Sequence, residues 1–121
     1  MTQENKELLL RDLCARLPYG VKVKVKYYDD DWKLLAIYTN GTTYATRDIG
    51  YPIETYFEDC KPYLFPLSSM TEEQYREWLY TLSSDYHITY DTVDWCNKNH
   101  FDYRNLIEKG LAIDATNLNI Y

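Results

Sequence analysis

Residues 21–47 read VKVKVKYYDDDWKLLAIYTNGTTYATR, and this stretch decides the class of fold. Valines alternate with lysines over residues 21–26, and a period of two is typical of a strand with one buried face and one solvated face. A second apolar run covers residues 32–38. The Asn40-Gly41 pair that follows is a strong signal for a two-residue hairpin into the next strand. The stretch therefore predicts consecutive antiparallel strands joined by tight turns.

The same pattern continues toward residue 66. Residues 50–52 read GYP and indicate another turn, after which residues 53–57 and 60–64 predict a fourth and a fifth short strand. We therefore interpret residues 21–66 as a β unit. Five short strands in so few residues are typical of a small curled antiparallel sheet or an SH3-like barrel.

Helical patterns lie on both sides of the β unit. Residues 4–17 carry leucines at helical spacing, with Asp12 and Arg16 mostly away from the apolar side, and Pro18 ends the pattern. After the β unit, residues 71–74 (TEEQ) form a capping box, the signature of a helix start. The next residues form an apolar stripe that predicts burial against the sheet. This stripe consists of Tyr75, Trp78, Leu79 and Leu82.

The remaining residues predict short elements. Alternation over residues 86–90 indicates a brief strand, and Asp91 or Thr92 can cap a helix that contains Cys96. Asp102 can cap a last helix, whose inner face would be Tyr103, Leu106, Ile107 and Leu111. The prediction is one α+β domain over residues 1–121, with an N-terminal helix at 4–17, the β unit, and a helical C-terminal part at 71–113 containing two to three helices.

Composition and charge narrow the classes of function. The chain is rich in tyrosine, with 14 in 121 residues, and acidic, with a formal net charge of −6. Residues 1–66 hold nine Lys/Arg against ten Asp/Glu, whereas residues 67–121 hold four against nine. The second half therefore repels phosphate, which makes nucleic acid an unfavourable partner there. Exposed aromatic side chains are enriched at recognition interfaces, so the tyrosines slightly favour binding. The preferred alternative is a tyrosine-rich β-sheet with half-buried rings.

The cysteines and the start of the sequence indicate a location. Cys14, Cys60 and Cys96 are an odd number of cysteines at wide spacings, which is typical of reduced thiols in the cytoplasm. The first residues are polar and charged, so we expect no signal peptide, and no apolar run is long enough for a membrane span. We therefore predict a cytoplasmic protein without a membrane partner.

No group of residues predicts a catalytic, cofactor or metal site. Cys96 and His100 have the four-residue spacing of two ligands on one helix face, but nothing nearby supplies the further donors that zinc needs. Residues 29–31 are three consecutive aspartates, without the alternating acids, glycine and distal glutamate of a calcium loop. No activated nucleophile and no phosphate-binding glycine loop is recognisable. We therefore predict no cofactor and no enzymatic activity.

One surface offers an alternative. Lys22, Lys24 and Lys26 share a strand face, and Trp32 follows shortly after them. Small barrels bind single-stranded nucleic acid by combining basic side chains with stacking aromatic rings. The competing interpretation is a solvated face whose lysines prevent edge-to-edge aggregation.

Three segments resemble a known family. These are KELLLRDLCARLPYGVK at 6–22, KPYLFPLSSMTEEQ at 61–74 and HFDYRNLIEKGLAID at 100–114. They resemble a family of short uncharacterised proteins from gut Bacteroidetes and from their phages and mobile elements. The chain departs from that family at Phe65, where a basic residue is common, and at Cys96, where a leucine is common. The resemblance implies an accessory role, such as binding and modulating a host protein, and implies no functional residues.

Three functions follow in order of preference. The first is a non-catalytic interaction module, a phage or mobile-element accessory protein that binds a host protein of unknown identity. The second is a small-barrel nucleic-acid-binding protein that uses the Lys22, Lys24 and Lys26 strand face with Trp32. The third is an enzyme of unrecognised type. The sequence leaves the oligomeric state open.

Overall fold

The computed structural model describes residues 1–47 and 50–121, which form an α+β fold with an N-terminal helix, a seven-stranded sheet and two further helices. Short 3-10 turns cover residues 17–19, 57–59 and 67–69. In chain order the helices and strands are α1 (Gln3–Arg16), β1 (Lys22–Val25), β2 (Asp31–Ile37), β3 (Thr42–Thr46), β4 (Ile53–Tyr56), β5 (Cys60–Pro66), α2 (Glu72–Thr81), α3 (Tyr90–Lys98), β6 (Phe101–Asp102) and β7 (Ile113–Asp114).

The structure confirms the predicted N-terminal helix and the five predicted strands, and it contains two further short strands, β6 and β7. The strand order of the sheet is β4-β3-β2-β1-β5-β6, and β7 also pairs with β5. The pairs among β1 to β5 are antiparallel, whereas β6 and β7 run parallel to β5. Over the described residues this order is that of an open sheet. The SH3-like barrel that the sequence also allowed is not confirmed.

The core lies between α1 and one face of the sheet. Leu9 and Leu13 of α1 are buried in one cluster with Val21, Val23 and Val25. The alternation at residues 21–26 therefore places the valines inward, because successive side chains of a strand point to opposite faces. Burying an aliphatic side chain contributes about 1.5–3 kcal/mol relative to leaving it exposed, so this cluster is the main source of stability in this part of the fold.

The burial of two polar residues of α1 differs from the sequence analysis. Asp12 and Arg16 are fully buried although the helical pattern places them mostly away from the apolar side. Arg16 Nε donates to Asp12 Oδ2 at 2.9 Å, and Arg16 Nη2 donates to the carbonyl oxygen of Phe101 at 2.6 Å. Arg104 Nη1 donates to the other Asp12 oxygen at 2.8 Å. These bonds join α1 to residues 101–104, which the sequence analysis treated as a separate helical part.

The prediction of a last helix capped by Asp102 is wrong. Residues 103–111 form turns between β6 and β7, so two helices, not three, follow the β unit among the described residues. Asp102 does cap a segment, because its two carboxylate oxygens accept hydrogen bonds from the backbone N–H groups of Leu106 and Ile107, both at 2.9 Å. The segment stays a turn because both of its flanks pair with β5.

The start of α3 also differs from the prediction. The brief strand over residues 86–90 is not formed, and α3 begins at Tyr90. Its N-cap is Thr89, two positions before the predicted Asp91 and three before Thr92, and the Thr89 hydroxyl accepts from the backbone N–H of Thr92. Thr92 is instead the third residue of a capping box, in which its own hydroxyl accepts from the Thr89 backbone N–H.

Candidate functional site: an apolar groove beside α2 and a lysine face on the sheet

The helix that the sequence predicts to be buried is the least buried helix of the fold. The capping box is present as predicted, with the Thr71 hydroxyl accepting from Gln74 N and the Gln74 side chain accepting from Thr71 N. Yet none of the ten residues of α2, all of which the structure describes, is buried. Trp78 and Leu79 are only half-buried, so the predicted burial against the sheet is wrong. Of this apolar stripe, Tyr75 is 50% exposed, whereas Trp78, Leu79 and Leu82 are partly buried.

Threonine hydroxyls attach α2 to its neighbour α3. The Thr89 hydroxyl donates to the carbonyl oxygen of Thr81 at 2.8 Å, and the Thr92 hydroxyl bonds the same carbonyl at 3.0 Å. These bonds satisfy the carbonyl group of Thr81, one of the last carbonyl groups of α2, which have no partner inside the helix. The helix is therefore held by its C-terminal end on α3, which leaves its N-terminal half free to present side chains to solvent.

An apolar groove lies between the N-terminal half of α2 and the 3-10 turn at residues 67–69. It has a volume of about 280 Å³. Tyr75 and Trp78 stack with ring centroids 5.9 Å apart, and Tyr75 is 50% exposed while Leu67 is 40% exposed. We call this concavity the α2 groove, and its lining consists of Leu67, Ser68, Met70, Tyr75 and Trp78.

A second concavity, with two carboxylates in its lining, adjoins the α2 groove. The two share Leu67 and Ser68, so the 3-10 turn forms a ridge between them. The second concavity has a volume of about 340 Å³, and Glu108 is exposed at its edge. We call it the acidic concavity, and its lining consists of Pro66, Leu67, Ser68, Asp102, Asn105, Ile107 and Glu108.

Other large apolar side chains of the helical part are also exposed. Tyr80 lies on α2 away from the groove and is 90% exposed, and Tyr86 and Tyr90 are similarly uncovered. Ile88 and Tyr90 line a shallow concavity of about 300 Å³ with Thr89 and Val93. Exposed tyrosines are thus abundant in residues 75–90, as the composition predicts for part of the tyrosine set.

The lysine face is larger than the sequence indicates. In the antiparallel registers, Lys22 pairs with Lys33 of β2 and Lys24 pairs with Lys61 of β5. Directly paired residues share one face of a sheet, so the strand register adds Lys33 and Lys61 to the predicted set. The register also places Asp31 of β2 opposite Lys24, so this cationic face carries one carboxylate among its lysines. Like charges directly opposite one another, as in the Lys22 and Lys33 pair, are unfavourable in a sheet.

Trp32 is separated from the lysine face. It pairs with Val23 and is only 3% exposed, so it lies on the core side of the sheet, opposite Lys22 and Lys24. Tyr28 contacts its ring edge-on at 5.5 Å, and the guanidinium of Arg47 lies 5.1 Å from its centroid. The ring is therefore covered and unavailable for stacking on a base beside the lysines.

The three predicted lysines have different surroundings. Lys22 Nζ donates to the carbonyl oxygen of Ile120 at 2.8 Å, and Lys24 Nζ donates to that of Tyr28 at 2.6 Å. Lys26 is exposed, with its ammonium 5.2 Å from the ring of Tyr27, so Tyr27 rather than Trp32 is the aromatic neighbour of this face. A concavity of about 470 Å³ lies here, lined by Lys24, Lys26, Lys61, Glu58, Asp59 and Ile113. Its two carboxylates oppose the binding of phosphate.

Cys96 and His100 have the spacing of two helix ligands, and the structure gives them no third His, Cys, Asp or Glu neighbour among the described residues. Within residues 1–47 and 50–121, no three His, Cys, Asp or Glu side chains are grouped so that they could hold a metal. Burial raises the pKa of the Cys96 thiol to about 11 and, with the charge of Asp59, raises that of Cys60 to about 12. Both thiols are therefore protonated near neutral pH, and a thiolate is the form that attacks or binds metal.

His100 lies two residues after the end of α3, and its backbone is in the left-handed region, with φ 63°. Its ring stacks on Tyr121 with centroids 3.7 Å apart, and its buried Nδ1 has no hydrogen-bond partner among the described residues. Burial, with the nearby charges of Arg16 and Lys22, lowers the pKa of His100 to about 4. The Tyr121 hydroxyl in turn accepts from Lys22 N and donates to the carbonyl oxygen of Tyr63, which ties residue 121 to the sheet.

Comparison of the chain with protein-family models, curated proteins and solved structures finds no match. None of the described helices has the length and apolar character needed to cross a bilayer. The surfaces of the protein are therefore the basis for its proposed function.

Proposed function

We propose that this chain is a non-catalytic protein-binding module and that the α2 groove is its docking surface. One observation carries the proposal. The stripe of α2 has the spacing of a buried helix face, yet no residue of α2 is buried. At the groove, Tyr75 is 50% exposed and Leu67 is 40% exposed, beside the partly buried Trp78. Exposed apolar surface at a concavity marks interaction sites in proteins that are otherwise well packed.

The composition of the groove supports a protein as the partner. Tyr75 and Trp78 form its wall, and tyrosine and tryptophan are enriched among the residues that dominate binding energy in interfaces. The volume of about 280 Å³ is below the roughly 300–1,000 Å³ that is usual for pockets that enclose whole small molecules. A groove of this size fits one or two side chains of a partner segment.

The α2 groove lies outside the main core cluster, which supports its assignment to binding. The core cluster is formed by α1, the sheet and residues 106–112, without a residue of α2. The apolar side chains of α2 are thus free of a role in the main core. The resemblance to proteins of gut Bacteroidetes and their mobile elements favours a host protein as the partner.

The experiment is a selection of random displayed peptides on the immobilised protein. The retained peptides are then measured on two variants, Leu67→Ser in the groove and Tyr51→Ser, an equally mild change at a site that is 92% exposed and outside the groove. We expect peptides whose retention is lost with Leu67→Ser and kept with Tyr51→Ser. Peptides that are retained equally by both variants, or no selected peptides at all, contradict the proposal.

Nucleic-acid binding by the lysine face is the second candidate, and the strand register is the observation that favours it. Lys33 and Lys61 enlarge the face to five lysines in residues 22–61. Three observations weigh against it. Trp32 is buried on the other side, Glu58 and Asp59 lie among the lysines, and the strand order lacks the closure of a small barrel over the described residues. Enzymatic activity has no such observation in its favour.

A further inference from the structure

The charge of the acidic concavity beside the α2 groove favours some partners of the groove over others. The α2 groove and the acidic concavity meet at the ridge of Leu67 and Ser68, so a segment that fills one extends over the other. Their combined lining contains two carboxylates, Asp102 and Glu108, and no lysine, arginine or histidine. A partner that crosses the ridge therefore meets an apolar wall on one side and negative charge on the other.

The two carboxylates have different roles. Both oxygens of Asp102 already accept backbone hydrogen bonds from Leu106 and Ile107, and the residue is 5% exposed. Its charge stays on the floor of the concavity while its bonds hold the turn. Glu108 is exposed, and none of the ion pairs between described residues includes it. Glu108 is thus the group that is free to meet a cation.

The surroundings are acidic on balance. Residues 67–121, which contain α2, α3 and most of the lining of the acidic concavity, hold four Lys/Arg against nine Asp/Glu, and the exposed Lys109 is the cation next to Glu108 in the chain. Glu72 and Glu73 lie in the first turn of α2, next to Met70 of the groove, and Glu72 pairs with Arg76 at 3.1 Å. Complementary charge steers partners and rejects those of like sign, so this face rejects acidic segments.

A second copy of the chain fits this site poorly. The commonest homo-oligomer is a two-fold dimer, in which the same patch meets itself. Such a dimer would place Glu108 and the acidic concavity of one protomer against those of the other. The cation must therefore come from a different protein.

We infer that the partner of the α2 groove is a cationic protein segment, with an apolar side chain that enters between Leu67, Tyr75 and Trp78 and a neighbouring arginine or lysine that pairs with Glu108. This inference rests on the proposed function, since it assumes that the α2 groove is a docking surface. It adds the chemistry of the partner, which the groove alone leaves open.

The experiment titrates two labelled synthetic peptides by fluorescence anisotropy. One alternates leucine with arginine and the other alternates leucine with glutamate. The protein variants are Glu108→Gln, Glu108→Lys, Tyr75→Ser and, as a charge-matched control, Glu54→Gln on the exposed part of β4. Glu54→Gln changes the net charge as much as Glu108→Gln does. Its effect therefore measures the general attraction of an acidic protein for a cationic peptide, and any larger effect of Glu108→Gln is specific to that position.

We expect the arginine peptide to bind the unchanged protein and the glutamate peptide to bind far more weakly. Glu108→Gln should weaken the arginine peptide about two- to fivefold, the range for one exposed charge pair, while Glu54→Gln should leave its affinity unchanged. Glu108→Lys should weaken the arginine peptide further and strengthen the glutamate peptide. Equal effects of Glu108→Gln and Glu54→Gln, or equal binding of the two peptides, overturn the inference.

The Tyr75→Ser variant separates this inference from the proposed function. If binding is lost with Tyr75→Ser but is indifferent to charge at Glu108, the groove is a docking surface and its partner is not cationic. If Tyr75→Ser changes nothing, both the inference and the proposed function fail. Concentration-dependent association of the protein alone, measured by sedimentation and lost with Tyr75→Ser, shows that the occupant is a second copy and also overturns the inference.

Discussion

Arg16 and Asp12 form an ion pair that has no contact with solvent. Arg16 Nε lies 2.9 Å from Asp12 Oδ2, and neither side chain has any exposed surface. The remaining donors of Arg16 reach the carbonyl oxygens of Phe101 and Cys96, at 2.6 and 3.5 Å. Such a guanidinium is tolerated in a core because its charge and most of its N–H groups are satisfied together. The pair therefore fixes where α1 meets residues 96–101.

Removing one partner of this pair should be strongly destabilising. We expect Asp12→Leu to reduce the free energy of unfolding by about 3–5 kcal/mol, because it leaves the buried Arg16 without a counter-charge. Arg16→Met should lose less, about 1.5–3 kcal/mol, because Asp12 keeps its bond to Arg104. The double variant should lose less than the sum of the two single losses, since only the partly exposed Arg104 is then left without its acid. Urea denaturation measures all three variants. Additive losses, or a single loss below about 1 kcal/mol, contradict the role of the pair.

The buried pair also shows why this part of the fold was not predictable from sequence. Apolar periodicity in α1 predicts which side of the helix faces the core, and Leu9 and Leu13 do face it. Periodicity carries no information about a polar partner some 85 residues away, and that partner is what brings Arg16 inside. The capping box at residues 71–74 was predictable because all of its bonds are local.

The partly buried position of Trp78 gives a test of how α2 is placed. We expect Trp78→Ala to reduce the free energy of unfolding by about 1–2 kcal/mol, below the ~3–5 kcal/mol that is typical of a buried aromatic residue. Leu13→Ala, at a fully buried site of α1, is the comparison and should lose about 2–5 kcal/mol. Chemical denaturation of both variants measures the difference. A greater loss for Trp78→Ala than for Leu13→Ala means that α2 is buried after all.

The α2 stripe and the lysine face differ from the sequence analysis for one reason. Local spacing predicts which residues share a face, as it does for Tyr75 and Trp78, but the element that covers that face is decided by the tertiary arrangement. Likewise, Lys33 and Lys61 join the lysine face, and Trp32 leaves it, through strand register alone. The helix predicted after Asp102 gives way for the same reason, because pairing with β5 on both sides overrides its local pattern.

His100 should make stability depend on pH in a defined range. Its pKa is lowered from 6.5 to about 4, first by burial and then by the charges of Arg16 and Lys22. The unfolded chain therefore takes up the proton near pH 6.5, whereas the folded protein takes it up only near pH 4. It follows that stability is complete above pH 6.5 and falls as the pH is lowered toward 4.

The measurement is urea denaturation of the unchanged protein and of His100→Asn across this pH range. Asparagine tolerates the positive φ of this position, so the variant removes the titration with little backbone strain. We expect a shallower pH dependence for His100→Asn, and no such change for His87→Asn, whose side chain is exposed. Identical pH profiles for the protein and His100→Asn would show that the imidazole is solvated in the folded state.

The lysine face should bind nucleic acid only weakly. We expect dissociation constants no tighter than about 100 μM at physiological salt for single- and double-stranded oligonucleotides, the range of non-specific binding. The net charge of −6 and the carboxylates of Glu58 and Asp59 oppose phosphate, and Trp32 is not available for stacking. Anisotropy titrations test this. Micromolar, salt-sensitive binding that disappears in a Lys24/Lys26/Lys61→Glu variant would favour the second candidate function.

The central claim is that the α2 groove is a docking surface, and two tyrosines of α2 allow a matched measurement. Tyr75 lines the α2 groove, whereas Tyr80 is 90% exposed on the same helix and does not line it. The measurement is the dissociation constant of a peptide selected on the unchanged protein, determined for Tyr75→Ser and for Tyr80→Ser. We predict at least about fivefold weaker binding for Tyr75→Ser, as for a central interface residue, and unchanged binding for Tyr80→Ser. Equal dissociation constants for the two variants would contradict the claim.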